Sequence, residues 1–242
     1  VDPGAEACPP VRPEGLADET LRYSVYYQWG LVWMGAGTVD LALTREGPGP
    51  GAPWHATAIA TSSRRIDRFF RVRDRYDTWL DPATLAPLRF ERDVHEGPVA
   101  FRWSYRFDRD AGTVAWRHEG KRGTREGTLH EVPPCAGDLF STLHLLRRVD
   151  WAAVADGTSV PINLVVDGKP QALSVRRAGR ERIRVRDEVY DCLVLEPRLL
   201  VGDYFKDEDA LRVWITADGR RLPVHAEAGI LVGRLKADLI GS

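Results

Sequence analysis

A chain of 242 residues that is 43% hydrophobic, with eight Trp, seven Tyr and seven Phe, can bury a sizeable core, and 29% charged residues suit a solvated surface. Its 34 basic and 35 acidic side chains leave a formal charge of −1, which excludes a globally cationic binder of nucleic acid and confines any electrostatic role to local patches. No apolar run reaches the roughly 18 residues of a membrane-crossing helix.

Residues 1–18 hold four prolines and little periodicity, and read as an N-terminal arm ahead of a single antiparallel β domain over 19–242. Met34 is the only methionine, as expected if the N-terminus was trimmed, by signal-peptide removal or otherwise. Strand grammar starts at Leu21, in two β-rich runs around Gly30. The stretch GPGPGAP from Gly47 to Pro53 is a loop, and Trp54–Ser62 is the next strand. Residues 63–70 fit either a helical face or strand flanks. From Arg71 to Leu80, Val72, Tyr76 and Leu80 alternate with Arg71, Arg73, Arg75 and Asp77. Three further strands follow at 88–95, 100–107 and 112–119; in the middle one Phe101, Trp103, Tyr105 and Phe107 share a face.

One helix is expected after Gly137, capped by Asp138, with Leu139, Leu143, Leu146 and Val149 as its apolar stripe and Arg147 and Arg148 near its C-terminal end. That stripe predicts a helix plugging the concave side of the sheet, with Arg147 aimed at the rim. Strands resume at 159–166, 171–177, 181–185 and 192–199. The C-terminal stretch from Leu211 to Leu239, broken at Asp218-Gly219, reads as a three-stranded meander that closes a sheet begun near Leu21. The expected fold class is therefore mainly β: a single large curved antiparallel sheet or open barrel wrapped around one central α-helix, with about a dozen strands.

Cys8 and Cys135 both sit beside proline pairs, whereas Cys192 lies in the apolar run CLVL. A Cys8–Cys135 bridge, favoured in an oxidising compartment, and three separate thiols both fit this pattern. Zinc spacing is absent.

The stretches LRYSVYYQWGLVWMGAGTVDL, RVRDRYDTWLDPATLAPLRF, GDLFSTLHLLR and VWITADGRRLPVHAEAGILVGRLKADL, in that order, resemble the bacterial exported family catalogued as domain of unknown function 3108. The resemblance covers roughly Leu21 to Leu239. It implies an exported, periplasmic or outer-membrane-associated protein whose curved sheet is similar to lipoprotein-carrier half-barrels, and it brings no activity. The recurring family positions map here to Asp74, Asp138, Ser141, Arg147, Trp214, Asp218 and Pro223.

Two constellations suggest binding. Six arginines against Asp67 and Asp74 between Arg64 and Arg75, with Phe69 and Trp79 interleaved, suit an anionic glycan or lipid headgroup, or else a solvated, salt-bridged strand face. The aromatic row from Phe101 to Phe107, joined by Tyr23, Tyr26, Trp29 and Trp33, lines a cavity for an apolar ligand or simply fills the core. The candidate ligand residues are Arg71, Arg73, Arg75, Trp79, Trp103, Tyr105, Arg147 and Trp214. No catalytic motif, cofactor or metal is expected: Ser141 and His144 lack a nucleophile elbow, and neither His225 with Glu227 nor the acidic loop at Asp203, Asp207, Glu208 and Asp209 has metal spacing.

The leading reading is a non-catalytic cell-envelope protein that binds an amphipathic or lipid-like ligand in a groove of the curved sheet. A second is a carbohydrate-active enzyme or glycan-binding module, with Asp74 and Asp77 or Glu91 and Asp93 as paired carboxylates. A third is an assembly role with an envelope protein partner, through exposed strand edges or the arm.

Overall fold

The computed structural model describes residues 9, 11, 16–30, 32–198, 211–230 and 233–242, and of Trp29 the backbone alone. The first half of the sheet comprises β1 (Glu19–Trp29), β2 (Val32–Arg45), β3 (Trp54–Ser62), β4 (Arg73–Leu80), β5 (Pro87–Glu96), β6 (Val99–Asp108), β7 (Thr113–Gly120) and β8 (Gly123–Leu129). After the helix α1 (Leu139–Arg148) come β9 (Ser159–Val166), β10 (Lys169–Val185), β11 (Glu188–Pro197), β12 (Leu211–Thr216), β13 (Pro223–Gly229) and β14 (Arg234–Gly241).

All fourteen strands form one antiparallel sheet, ordered β8-β7-β6-β5-β4-β3-β2-β1-β14-β13-β12-β11-β10-β9. Each strand pairs with its chain neighbours, and β14 pairs with β1, so the C-terminal meander closes onto the first strand as expected. The two free edges, β8 and β9, are consecutive in the chain, and α1 lies between them in sequence. The curved sheet is thus open along one seam.

Alternation sets which face of each strand is buried. Leu21, Leu41 and Ala58 are cross-strand partners in turn, as are Phe90, Tyr105 and Trp116. Leu43, Trp54, Phe90, Trp103, Tyr105 and Phe107 join one core cluster, to which α1 adds Phe140. A second cluster packs Val149 and Trp151 onto Ile162, Leu164, Val175, Leu193 and Ile215. Each fully buried large side chain here stabilises the fold by about 1.5–3 kcal/mol. In β11, Cys192, Leu193, Val194 and Leu195 are all buried because both faces of that strand are covered, and this is why CLVL shows no alternation.

Edge strand β9 is folded back against the first half. Gly168, in the β9–β10 turn, donates its N–H to the Tyr105 hydroxyl (3.3 Å), and Asp167 pairs with Arg92 (3.0 Å). Just before α1, Gly137 donates to the Asn163 carbonyl (2.8 Å) and accepts from Val165 N–H (2.9 Å).

The helix is where expected, but its buried face is rotated by one residue. Phe140, Ser141, His144, Arg147 and Arg148 are buried, while Leu139 is exposed and Leu143 half-buried against the first cluster. Polar contacts explain the rotation. Asp138 accepts Phe140 N–H (2.8 Å) and Ser141 N–H (2.7 Å) on one oxygen and the Thr78 hydroxyl (2.8 Å) on the other, which fixes the first turn to β4. Arg147, expected at the rim, is instead 4% exposed and forks onto the Glu19 carboxylate, while also donating to the Arg221 (3.1 Å) and Arg220 (3.3 Å) carbonyls. The third turn is thereby tied to β1 and to the β12–β13 turn.

Two other expectations change. β8 carries little apolar pattern and went unanticipated, and the two short strands expected at 171–177 and 181–185 are one seventeen-residue strand. A register shift between Arg177 and Gly179, where Gly179 has φ +139°, broke the alternation in the sequence. Cys135 is disulfide-bonded and Cys192 is a free, buried thiol. Cys8, most of the arm and the acidic loop 203–209 lie outside the described residues.

Candidate functional site

The eight candidate ligand residues do not converge. Trp103 and Tyr105 are buried in the first core cluster, and Arg147 is consumed by Glu19. Trp214 is buried, donating to Glu181 (2.8 Å) beneath the Arg212 guanidinium. Trp79 stacks on His55 (centroids 4.5 Å apart) under Arg89 and donates to Glu46 (3.1 Å). Arg75 forks onto Asp77 at 2.7 Å through both nitrogens. Arg73 is tied to Asp67 (2.6 Å). Arg75 stays exposed within its fork, and Arg71 is exposed with no ion pair among the described residues.

The surface around Arg71 is the β3–β4 connection. Its backbone is locked by the buried Ser62 hydroxyl, which donates to Asp67 (2.5 Å) and accepts from Val72 N–H (2.8 Å) and Arg73 (3.0 Å). Hydrogen bonds from Arg73 and Ser62 hold the Asp67 carboxyl below its ordinary range. A single 3-10 turn, Ile66–Arg68, follows, with Phe69 and Phe70 N–H both donating to the Ile66 carbonyl (2.8 and 2.9 Å).

The locked turn presents Arg64, Arg65, Arg68 and Arg71 to solvent, with Phe69 86% and Phe70 46% exposed. Phe70 rests on the β5–β6 turn. Gly97 has φ +54°, and a Cβ there would lie 2.7 Å from the Phe70 ring, so that turn needs glycine both for its backbone and for the approach of the ring. Antiparallel alternation puts the β1–β2, β3–β4 and β5–β6 connections at one end of the sheet. Val32 (62% exposed), Trp33 (37%) and Val99 therefore extend the same apolar rim on either side.

The candidate catalytic groups read from the sequence are not brought together among the described residues. The Ser141 hydroxyl accepts from Asp138 N–H (2.8 Å) as part of a capping box, and both ring nitrogens of His144 are buried without a hydrogen-bond partner. Burial, with Arg147 and Arg148 beside it, pushes the His144 imidazole down to about 3, so it is neutral. Asp74 and Asp77 lie on opposite faces of β4, and Glu91 pairs with Arg89 and Arg102.

The carboxylates that do meet are Asp74 and Glu96. Burial, then the charge of Asp74 and a hydrogen bond to it, raise Glu96 to about 7, opposed by Arg92. Hydrogen-bonded carboxyls are in direct contact, closer than the roughly 5 Å or more that glycosidase chemistry requires. The sequence signal for this pair was the acidic Asp74 on the inward, Tyr76-bearing register of β4. Among the described residues no group of three or more His, Cys, Asp or Glu could hold a metal. His225 bonds Asp238 (2.6 Å) and Glu227 (3.3 Å) instead.

The fold and this site define a class: an open, barrel-like antiparallel sheet with a capped helix and no assembled catalytic centre among its described residues. Residues 22–240 match the model of the family described as "Protein of unknown function (DUF3108)", and the chain belongs to that family. Curated proteins give no match. Among solved structures the chain is similar to the crystal structure of the "Beta-barrel-like Protein of Domain of Unknown Function DUF1849 from Brucella abortus". The TM-score is 0.61 at 9% identity, over 95% of this chain and 97% of that one, a likeness of fold alone.

Proposed function

We propose that the protein is a non-catalytic cell-envelope protein that engages lipid-like amphipaths, and that it does so at an anionic lipid surface through the β3–β4 rim. The groove expected around the helix is not its site, because the aromatic row lies in the core. The observation that carries this reading is Phe69, an almost fully exposed aromatic held on a locked backbone among Arg64, Arg65, Arg68 and Arg71. Monomeric proteins do not ordinarily leave such apolar surface contiguous without a partner. Aromatic side chains flanked by arginines suit the boundary between headgroups and acyl chains, where each arginine near an anionic leaflet contributes about 1 kcal/mol. The disulfide at Cys135 supports an oxidising, exported location.

Flotation with vesicles tests the proposal. Protein should float with vesicles containing phosphatidylglycerol and stay behind with phosphatidylcholine alone. Equal behaviour with both would remove the electrostatic half of the reading, and no flotation with either would remove the whole.

A further inference from the structure

On the outer side of β1, β2 and β3, next to the rim, lies a small open cavity of about 220 Å³. Its lining comes from register. Ser24 faces Thr38, and Thr38 faces Thr61, so three hydroxyls sit side by side across three strands. The row is interrupted by a register shift between Val25 and Tyr26, opposite Gly35 and Gly37, and this irregularity opens the depression. The two glycines play different parts. A Cβ on Gly37 would run into the Thr61 carbonyl oxygen at 2.1 Å, so glycine there permits close strand approach. A Cβ on Gly35 would meet nothing within 4 Å, so Gly35 leaves the cavity empty.

Ser24, Thr38 and Thr61 are half-buried, and their hydroxyls make no hydrogen bond within the described residues. Half-buried hydroxyls are open to solvent and can exchange water for the polar groups of a ligand. Each can donate one hydrogen bond and accept two, as the hydroxyls of a polyol also do. Tyr26 supplies an aromatic wall, with Lys236 Nζ 5.0 Å from its ring centroid. Among the described residues no charged side chain lines the cavity itself, and Lys236 reaches only its Tyr26 wall. At less than the roughly 300 Å³ of a typical ligand pocket, the space takes one ring and not a chain.

We infer that this cavity is a binding site for a single neutral sugar ring, a hexose or an N-acetylhexosamine. The inference does not rest on the lipid-surface reading: it rests on the hydroxyl row and the open space over Gly35, and the cavity adjoins the rim through Ser62 and Ser63.

Saturation-transfer NMR of the purified chain with free hexoses and N-acetylhexosamines tests it. At least one probe should bind, and Gly35→Val should abolish the signal while leaving the unfolding temperature and vesicle flotation unchanged. Thr38→Val removes a hydroxyl at constant shape and should weaken the same probe by about tenfold; it decides the question should Gly35→Val prove misfolded. Absence of binding by every probe, or binding undiminished in a folded Gly35→Val or in Thr38→Val, would overturn the inference. Because flotation is read on the same samples, loss of sugar binding and loss of lipid binding are told apart.

Discussion

Arg147 and Glu19 stand 128 residues apart in the chain and meet in a forked ion pair, with the guanidinium 4% and the carboxylate 23% exposed. The same guanidinium holds two carbonyls of the β12–β13 turn, so one side chain joins the helix, the first strand and the closing meander. Removing one partner of a buried pair strands the other. Glu19→Gln should therefore cost about 3 kcal/mol in urea unfolding, while Arg147→Met, which leaves the better-solvated partner behind, should cost less. The reverse order would show that the pair is not what fixes the helix.

His144 gives a prediction of the opposite sign. It is 3% exposed, both ring nitrogens lack partners, and Phe140 meets it edge-on with centroids 5.1 Å apart. Replacement by Leu removes polar atoms that burial leaves unsatisfied, and should stabilise the protein by about 1 kcal/mol, raising the unfolding temperature by about 2–4 °C. A clear loss of stability in His144→Leu would mean that the imidazole has a partner and a role.

Glu96 sets a pH dependence. Its carboxyl is raised from 4.5 to about 7, so the folded chain holds this proton more tightly than the unfolded chain does. The contribution is therefore fully present below pH 4.5, falls as pH rises from there to about 7, and is gone above. Discounted for the group's half exposure, its size is about 1 kcal/mol. Glu96→Gln should flatten this slope and unfold at a higher temperature than the natural protein at pH 8. Parallel pH profiles for the two chains would contradict the Asp74–Glu96 contact.

Asp138 tests the helix cap as a structural fixture. Asp138→Ala loses two cap hydrogen bonds and the bond from the Thr78 hydroxyl, which keeps only its longer contact to the Arg89 carbonyl (3.3 Å), and should cost about 2 kcal/mol. Lipid binding at the rim should be unaffected. An unchanged denaturation midpoint would show that the cap does not hold α1 to β4.

The sheet was largely legible because strand alternation is local: Trp54–Ser62 and Ser159–Val166 coincide with β3 and β9, and the inward row Phe101 to Phe107 was correctly grouped. The helix face was not legible. Leucine spacing favours Leu139 and Leu143, and nothing local says that Glu19 and two carbonyls of a distant turn wait for Arg147. The arginine row failed for a related reason. Asp67 and Asp77 are close in sequence to Arg73 and Arg75, but only the paired strands and the locked turn show that they neutralise them. Phe69, grouped from the sequence with the arginines as stacking surface, is indeed exposed among them, on the turn that the Ser62 network locks.

The account's central claim is that the β3–β4 rim meets an anionic lipid surface, and the most direct measurement is the affinity of the natural chain, Phe69→Ser and a combined Arg64, Arg65 and Arg68→Ser variant for phosphatidylglycerol vesicles. Removing three arginines should weaken binding by about a hundredfold, from about 1 kcal/mol each. Phe69→Ser should weaken it by at least about tenfold through lost apolar burial. Both variants should unfold at the natural temperature, since none of the four side chains is buried. Equal affinity of all three proteins, or no binding by the natural chain, would contradict the claim.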